Sequence, residues 1–204
     1  MLAGISHDLR TPLARLRLEV EMSVNDEEAQ RNMALDIDQL DAIIDKFMDY
    51  ARPGEAKLVP VNLAQLVEKE IATFRDPKEI RIASRLAIDL RVMADETELG
   101  RVFGNLFENA RRYGRSTDTG IAVVHVSYAK SGPWVIVAVR DHGPGVAPEK
   151  LAQLTTPFYR GDAARTAASG AGLGLAIVEK ALQRMGGQFD IDNAPDGGLV
   201  AHIR

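Results

Sequence analysis

The chain has 204 residues, enough for one ordinary domain and a smaller one, and its 46% hydrophobic and 26% charged residues are typical of a soluble globular protein. The absence of cysteine excludes disulfides, thiolate zinc sites and cysteine nucleophiles, and the four histidines show no metal-ligand spacing. A net charge of −4 argues against a nucleic-acid-binding surface, although not against a local basic patch. No apolar run approaches the ~18 residues of a membrane helix, and the sequence begins without a signal peptide.

The first predicted helix, residues 2–24, carries a histidine next to a carboxylate. One face of this helix is a narrow apolar stripe formed by Leu2, Ile5, Leu9, Leu16 and Val20. His7 points roughly 160° away from the stripe, and Thr11 follows one turn later on the same face as His7. Pro12 cannot donate to the carbonyl of Asp8, so we expect a kink or a loosened turn just after the histidine.

The second predicted helix, Glu27–Ala51, follows a turn in which Asp26 is expected to cap it. Its apolar positions alternate in steps of four and three, as in a heptad seam: Met33, Ile37, Leu40, Ile44, Phe47 and Ala51. Two helices with one apolar stripe each bury little apolar surface when they pack only on each other. The pattern therefore favours an antiparallel hairpin that pairs with a second copy as a four-helix bundle, and packing of the hairpin on the following domain is the alternative.

The helical periodicity stops at Arg52-Pro53-Gly54, so residues 53–59 are predicted to be a linker between a hairpin at 1–52 and a second domain at 60–204. The predicted helices of that domain are 63–74 capped by Asn62, 96–113 opened by a capping-box spacing from Asp95 to Glu98, 148–154 and 173–185. The predicted strands lie around 80–82, around 90–92, and at 120–129, 134–140, 188–191 and 199–203. This order indicates an α/β sandwich with a mixed, mainly antiparallel sheet.

Four blocks of the second domain point to a nucleotide. In the first, Asn105 and Asn109 lie one turn apart on a helix, where asparagine is a poor helix former. Their amides either satisfy buried backbone groups or supply oxygen ligands for Mg²⁺. Arg111 and Arg112 follow and add positive charge for phosphates, although a solvated charged face is an equal explanation for one of them.

The second block, Asp141-His142-Gly143-Pro144-Gly145, follows a strand and offers a carboxylate that could accept a hydrogen bond from an adenine amino group. By itself this spacing is more often a plain turn. The third block, Pro157-Phe158-Tyr159-Arg160-Gly161-Asp162, places apolar and aromatic residues in a polar loop, as an anchor that docks and releases or as a simple satellite contact.

The fourth block, Gly170-Ala171-Gly172-Leu173-Gly174, precedes a helix, so free N–H groups and the helix dipole would favour an anion there. No Gly-Lys-Ser/Thr follows, which excludes a Walker motif, and the spacing is not that of a Rossmann fingerprint.

The octapeptide Ser6-His7-Asp8-Leu9-Arg10-Thr11-Pro12-Leu13 resembles the phospho-acceptor box of EnvZ-like sensor histidine kinases. The four blocks, in their order, resemble the N, G1, F and G2 boxes of the histidine kinase catalytic domain, which belongs to the superfamily shared with gyrase, Hsp90 and MutL. The resemblance extends over almost the whole chain. It implies a fold made of a dimeric four-helix bundle followed by an α/β sandwich that binds ATP.

The resemblance also implies a role for each catalytic residue. His7 would be phosphorylated, Asp8 would take a proton from the imidazole so that its other nitrogen attacks the γ-phosphate, and Thr11 would orient a water for phosphatase activity. The phosphoryl group would then pass to an aspartate of a response regulator. A swing of the two domains about the linker would bring the histidine and ATP together.

The nucleotide would lie among residues of the second domain. Asn109 would be the Mg²⁺ ligand supported by Asn105, Arg112 would contact phosphate, Tyr113 would lie against the adenine, and Asp141 would accept from its amino group. The loops around the nucleotide would be shaped by Gly143, Gly145, Gly170, Gly172, Leu173 and Gly174. Residues 146–169 would form a mobile lid with Phe158 as its anchor.

Two other functions fit parts of the sequence: a catalytically silent docking module that binds regulators, and a superfamily ATPase without phosphotransfer. The intact acceptor box and phosphate-site residues argue against both. The start six residues before His7 and the absence of membrane spans predict either the excised cytoplasmic part of a membrane receptor or a naturally short form. Missing upstream helical turns weaken the dimer prediction.

Overall fold

The computed structural model describes residues 2–52, 54–160 and 170–204, and side chains from His7 onwards. It consists of a helical hairpin followed by an α/β domain, so the predicted order of the two architectures is confirmed. No helix among the described residues combines the length and the apolar character that a membrane crossing requires.

The hairpin consists of α1 (Leu2–Ser23) and α2 (Glu27–Ala51). The predicted cap is confirmed, because the Asp26 carboxylate accepts from the first-turn N–H groups of α2. Arg10 pairs with Asp45, and Arg17 pairs with Asp38, so that charged side chains join the two antiparallel helices. α1 continues through Pro12 as one helix, and the loosening that we expected there does not divide it.

Seven large apolar side chains of the described part of the hairpin are exposed in the single chain. Val20 and Ile37 are buried between the helices. The exposed set comprises Leu9, Leu16, Leu18, Met22, Met33, Leu35 and Leu40. It includes four positions of the two predicted stripes, so a single hairpin leaves much of its apolar seam uncovered.

The α/β domain alternates helices and strands. Its helices are α3 (Leu63–Ile71), α4 (Glu96–Tyr113), α5 (Pro148–Leu151) and α6 (Gly174–Arg184). Its strands are β1 (Val59–Asn62), β2 (Ile80–Ser84), β3 (Arg91–Ala94), β4 (Ala122–Ser131), β5 (Trp134–Asp141), β6 (Phe189–Asn193) and β7 (Leu199–Ile203). The prediction missed β1, which contains only four residues, and extended α3 and α5 by three residues each.

Five strands form the main sheet in the order β2-β4-β5-β7-β6, in which only β2 and β4 are parallel. The mixed, mainly antiparallel sheet is therefore confirmed. β1 and β3 form a separate antiparallel ribbon. Residues of α3, α4 and α6 cover one face of the main sheet and form with it a single hydrophobic core. Phe103 and Phe107 of α4 are fully buried at its centre.

The start of α4 departs from the predicted capping box. Asp95 accepts from the N–H groups of Thr97 and Glu98, as an N-cap residue does. The reciprocal half of the box is wrong, because the Glu98 carboxylate turns away and binds arginines. Three guanidinium groups attract a buried carboxylate more strongly than one backbone N–H does.

Candidate functional site

His7 lies on the solvent-facing side of α1, as predicted. Its Nδ1 is 3.6 Å from Asp8 Oδ1, and both side chains are 82% exposed. A carboxylate this close can receive the Nδ1 proton after a small rotation, which leaves Nε2 with a lone pair. An exposed imidazole on a helix is also accessible to a second domain.

Thr11 lies one turn after His7, and its hydroxyl donates to the His7 carbonyl at 2.9 Å. This bond fixes the hydroxyl beside the histidine backbone, on the exposed side of the helix. Thr11 is thus placed where it could orient a water near a phosphoryl group on the imidazole.

The two asparagines of α4 have different surroundings. Asn105 is 6% exposed, and its Nδ2 donates to the Arg101 carbonyl at 2.7 Å. Asn109, one turn later, is half-buried. Because an amide has both a donor and an acceptor, the backbone bond of Asn105 orients its oxygen away from α4. The backbone explanation for the asparagine pair therefore applies to Asn105, and the metal-ligand explanation stays a prediction.

The two arginines after Asn109 share one carboxylate. Arg111 donates to Glu108 at 2.7 Å and to Glu79 at 2.8 Å, and Arg112 also binds Glu108. Burial pushes the pKa of Glu108 upward, but hydrogen bonds from Arg111 and Arg112 outweigh it and lower the pKa. Arg111 ties α4 to the residue before β2, whereas Arg112 extends towards the fourth block: a methyl group added at Gly170 would lie 3.3 Å from its Nη1.

Tyr113 and Gly170 are also neighbours. A methyl group added at Gly170 would lie 3.0 Å from the Tyr113 hydroxyl, which is tighter than an ordinary van der Waals contact. The last turn of α4 and the beginning of the fourth block therefore meet, although 57 positions separate them in the sequence.

Asp141 lies in a cradle of backbone at the end of β5. It is 7% exposed, and its Oδ1 accepts from the N–H groups of Gly143 at 2.9 Å and Leu199 at 3.1 Å. Gly114 and Gly198 lack the Cβ atoms that would collide with Asp141. Among the described residues no hydrogen bond reaches Oδ2, so this oxygen can accept from an adenine amino group.

Asn193, which the sequence analysis missed, holds the second block in place. Its Oδ1 accepts from Val146 N–H at 2.9 Å, and its Nδ2 donates to the Val146 carbonyl at 2.6 Å. Gly145 has a φ of +71°, and a Cβ there would lie 2.7 Å from Asn193 Oδ1. A glycine is therefore required at this position for close contact with β6. No signal in the sequence connected Asn193, at the end of a strand, with the second block.

The third and fourth blocks are joined through Phe158 and Gly172. Phe158 N–H donates to the Gly172 carbonyl at 2.8 Å, and the Phe158 side chain is 57% exposed at a φ of +65°. A phenylalanine held in the left-handed region carries backbone strain. The backbone strain and the exposed ring suit a residue whose side chain packs at a different place when the loop changes conformation. The predicted lid lies partly outside the described residues, at 161–169.

The amino terminus of α6 faces Asn105. Leu173 is buried and provides no side-chain cap, so the first N–H groups of α6 lack a side-chain acceptor at this position. A methyl group added at Gly174 would lie 3.7 Å from Asn105 Oδ1. Free N–H groups, the positive end of a helix dipole and an amide oxygen thus meet at one point.

This arrangement fits an adenine nucleotide with Mg²⁺. Asp141 offers an acceptor at one end, and the α6 terminus offers anion-binding N–H groups at the other. The described residues contain no group of three or more His, Asp or Glu side chains able to hold a metal. A metal at the α4 amides would therefore take further ligands from phosphate oxygens and water, as Mg²⁺ commonly does.

The hairpin packs directly on this site, through residues that the sequence did not identify. Lys46 of α2 donates to Asn105 Oδ1 at 2.8 Å. Nearby, Asp49 pairs with Arg101 at 3.2 Å, and the Lys180 ammonium lies 4.2 Å from the centre of the Tyr50 ring. The carboxyl-terminal half of α2 thus contacts α4 and α6, so that the alternative packing of the hairpin on the second domain applies to this half.

A cluster of four charged residues lies where the hairpin ends. We call Glu98, Arg52, Arg101 and Arg184 the Glu98 cluster. The buried Glu98 carboxylate binds Arg101 and Arg184 and is 3.7 Å from Arg52. Arg184 also donates to the Arg52 carbonyl at 2.8 Å. The cluster therefore fixes the end of α2 to both α4 and α6.

Comparison with known proteins gives consistent results for both parts of the chain. Residues 94–204 match the family described as histidine kinase-, DNA gyrase B- and HSP90-like ATPase, and residues 1–56 match the His Kinase A phospho-acceptor domain. Sensor protein RstB of Escherichia coli is 36% identical over 212 residues, which cover 97% of this chain and 46% of RstB. The histidine-protein kinase/phosphatase MprB of Mycolicibacterium smegmatis is 30% identical over 217 residues, 97% of this chain and 42% of MprB.

A solved structure extends the similarity to three dimensions. Full-length ShkA, crystallised in complex with AMPPNP, has a TM-score of 0.74 and 29% identity, covering 99% of this chain and 44% of ShkA. The chain spans less than half the length of the two curated relatives. With both domain families matched in the order that the motifs predict, the chain belongs to the sensor histidine kinases and contains their phospho-acceptor hairpin and ATP-binding catalytic domain.

Proposed function

We propose that this chain is an ATP-dependent histidine autokinase that phosphorylates His7 and then passes the phosphoryl group to an aspartate of a response regulator. The observation that carries the proposal is the exposed imidazole of His7 with its Nδ1 3.6 Å from the Asp8 carboxylate. A structural histidine needs neither this exposure nor this partner. Membership of the sensor histidine kinases supports the same reaction.

The chemistry at His7 follows from its two ring nitrogens. Asp8 accepts the Nδ1 proton as Nε2 attacks the γ-phosphorus of ATP, the new N–P bond forms, and the bond from phosphorus to the β,γ-bridging oxygen breaks to release ADP. Asp8 therefore acts as the base and does not touch the phosphate. Phosphoryl transfer of this kind depends mainly on position and charge neutralisation.

We propose that the nucleotide is held by the site residues that the sequence predicts. Asp141 accepts from the adenine amino group, Tyr113 lies beside the ring, and Arg112 contacts phosphate. Gly143, Gly145, Gly170, Gly172, Leu173 and Gly174 supply backbone that passes close to the ligand, and Asn105 supports Asn109. When bound at Asn109, Mg²⁺ would neutralise phosphate charge. Phe158 would anchor the predicted lid, whose residues 161–169 lie outside the described part of the chain.

The partners follow from the exposed surfaces of the hairpin. Its uncovered apolar side chains favour a homodimer, in which a second copy completes a four-helix bundle. The exposed His7 and Thr11 side chains give a response-regulator receiver domain access to the phosphoryl group. Phosphatase activity towards that regulator is part of the proposal, and the related MprB carries both activities in its name.

The proposed organisation places dimerisation and phosphotransfer at residues 1–52, a hinge at 53–59 and ATP binding at 60–204. The chain would be the cytoplasmic part of a larger inner-membrane receptor, since its curated relatives are more than twice as long. No nucleic-acid partner is proposed.

Incubation with radiolabelled ATP and Mg²⁺ tests the kinase. We expect acid-labile label on the wild type and none on His7→Ala, and we expect Asn109→Ala to stay folded by circular dichroism but to lose the label. ATP turnover without a phosphoenzyme would instead support a plain superfamily ATPase. Retained labelling of Asn109→Ala would contradict the proposed metal role.

The phosphatase is tested separately with a phosphorylated receiver domain. Thr11→Ala should autophosphorylate like the wild type but dephosphorylate the regulator more slowly, because it loses the hydroxyl that orients water. Thr11→Ser keeps that hydroxyl and should retain the activity. Equal dephosphorylation by wild type and Thr11→Ala would refute the assignment.

A further inference from the structure

Lys46 is a hairpin side chain that ends in the predicted phosphate region of the other domain. Its ammonium donates to Asn105 Oδ1 at 2.8 Å, and that amide faces Gly174 at the amino terminus of α6. Asn109, the proposed metal ligand, lies one helical turn further along α4. A cation from the hairpin thus stands where three features of the ATP-binding domain converge.

Lys46 differs from the neighbouring cations in its partners. The arginines of this region all bind carboxylates: Arg101 and Arg184 bind Glu98, and Arg111 and Arg112 bind Glu108. Within the described ranges, no carboxylate lies at ion-pair distance from Lys46, whose hydrogen-bond partner is a neutral amide. The direct partner of Lys46 is therefore uncharged, unlike the partners of these arginines.

Burial of the Lys46 ammonium makes its neutral partner significant. Loss of contact with water is the main cause that lowers the pKa of Lys46, although Asp49, Glu108 and Asp45 act in the opposite direction. A half-buried ammonium with a neutral partner is stabilised by any anion that reaches it. Phosphate oxygens are the anions that the α6 terminus is also arranged to attract.

The position of Lys46 along the hairpin links it to the phosphorylation site. Arg10, one turn after His7, binds Asp45, the residue next to Lys46. Lys46 therefore lies at nearly the same level of the hairpin as His7. A phosphate group held by Lys46 would be held near the height of the acceptor histidine.

We propose that Lys46 is a phosphate-binding residue of the nucleotide site, supplied by the phospho-acceptor hairpin, which contacts the polyphosphate of ATP when the two domains are closed on each other. The inference rests on the proposed ATP site. The ammonium exchanges a neutral amide for a charged oxygen, and so ATP itself stabilises the closed arrangement. The opposite role, a plug that keeps nucleotide out, requires ATP to bind better without Lys46.

Calorimetric titration of the full chain with AMPPNP and Mg²⁺, and separately with adenosine, tests the proposal. Lys46→Gln can still donate to Asn105 but carries no charge. We expect it to weaken AMPPNP binding by about tenfold, since a charge-assisted hydrogen bond is lost, and to leave adenosine binding unchanged. Lys46→Arg should restore most of the lost affinity.

Lys180→Gln is the matched control, because Lys180 lies in the same interface on the Tyr50 ring. It should bind both ligands like the wild type. Unchanged or tighter AMPPNP binding by Lys46→Gln, an equal loss for adenosine, or the same loss in Lys180→Gln would overturn the role of Lys46. If the wild type binds neither ligand, the proposed ATP site itself fails.

Discussion

The hairpin and the ATP-binding domain differ in how they bury their apolar side chains. The ATP-binding domain encloses one continuous core, with Phe103 and Phe107 fully buried. The hairpin buries Val20 and Ile37 and leaves larger side chains such as Met22, 76% exposed, in water. Its helices are joined to each other largely through charged pairs such as Arg17 and Asp38.

The difference separates a domain that encloses its own hydrophobic core from a hairpin that leaves seven large apolar side chains exposed. Exposed ion pairs contribute little to stability, whereas buried apolar area contributes most of it. The hairpin is therefore expected to draw stability from a second copy and from the ATP-binding domain. Such dependence suits the proposed function, in which the hairpin presents His7 alternately to the ATP-binding domain and to a regulator.

Phe107→Ala should have the largest effect, because it removes a fully buried ring from the core of the ATP-binding domain. Phe107 packs edge-on against Phe74 and also contacts Phe103. We expect a loss of about 3–5 kcal/mol in the free energy of unfolding, measured by urea denaturation.

Phe158→Ala is the control for this prediction, since it removes the same ring from an exposed position. Its stability should change by about 0.5 kcal/mol or less. Similar losses in both variants would mean that the two regions do not differ in packing as described.

Glu98→Ala tests the connection between the two regions. Removing the buried carboxylate leaves Arg101 and Arg184 facing each other without their shared partner. We expect a loss of about 3 kcal/mol in the free energy of unfolding by urea. Arg52→Ala removes a half-exposed member of the same cluster and should lose under about 1 kcal/mol. Equal losses would show that the burial of Glu98 is unimportant.

The sequence predicted what depends on local pattern. The caps at Asp26, Asn62 and Asp95 were identified because each side chain acts within three residues of its own position. The hairpin followed from apolar spacing, and the ATP-binding blocks followed from glycines and amides in a recognisable order. These signals are all contained in short stretches of chain.

Contacts between distant residues could not be predicted in this way. Lys46 and Asn105 are 59 positions apart, and Glu98 and Arg184 are 86 apart. Nothing in a lysine on a charged helix distinguishes a solvated side chain from one that enters another domain. Glu98 was misassigned for the same reason, because its spacing from Asp95 fits a capping box and its arginine partners come from distant elements.

Leu16→Lys tests whether the exposed stripe of the hairpin is an interface. The side chain is 45% exposed in the single chain and lies on the predicted stripe, so a charge there should weaken a homodimer at least about tenfold. Analytical ultracentrifugation measures the dissociation constant. Leu18→Lys is the control, because the Leu18 side chain is also exposed but lies on the opposite face of α1. It should leave the dimer intact. A dimer insensitive to Leu16→Lys would place the interface elsewhere.

His125 gives the smallest expected effect and tests whether the ATP-binding domain has a weak point on its own surface. Its Nδ1 is 2.8 Å from Nε2 of His142, which follows Asp141, the proposed acceptor for the adenine amino group. Burial, and then the charges of His142, Arg85 and Arg140, lower the pKa of His125. The folded protein therefore binds a proton at His125 less readily than the unfolded chain does.

The stability that neutral His125 contributes is full above about pH 6.5, the usual pKa of histidine, and is lost as the pH falls from there through the lower pKa of the folded state. The melting temperature of the wild type should therefore fall more steeply between about pH 7.5 and about pH 5.5 than that of His125→Gln. The difference should be small because His125 is partly in water. The same dependence of melting temperature on pH in the two proteins would contradict the lowered pKa of His125.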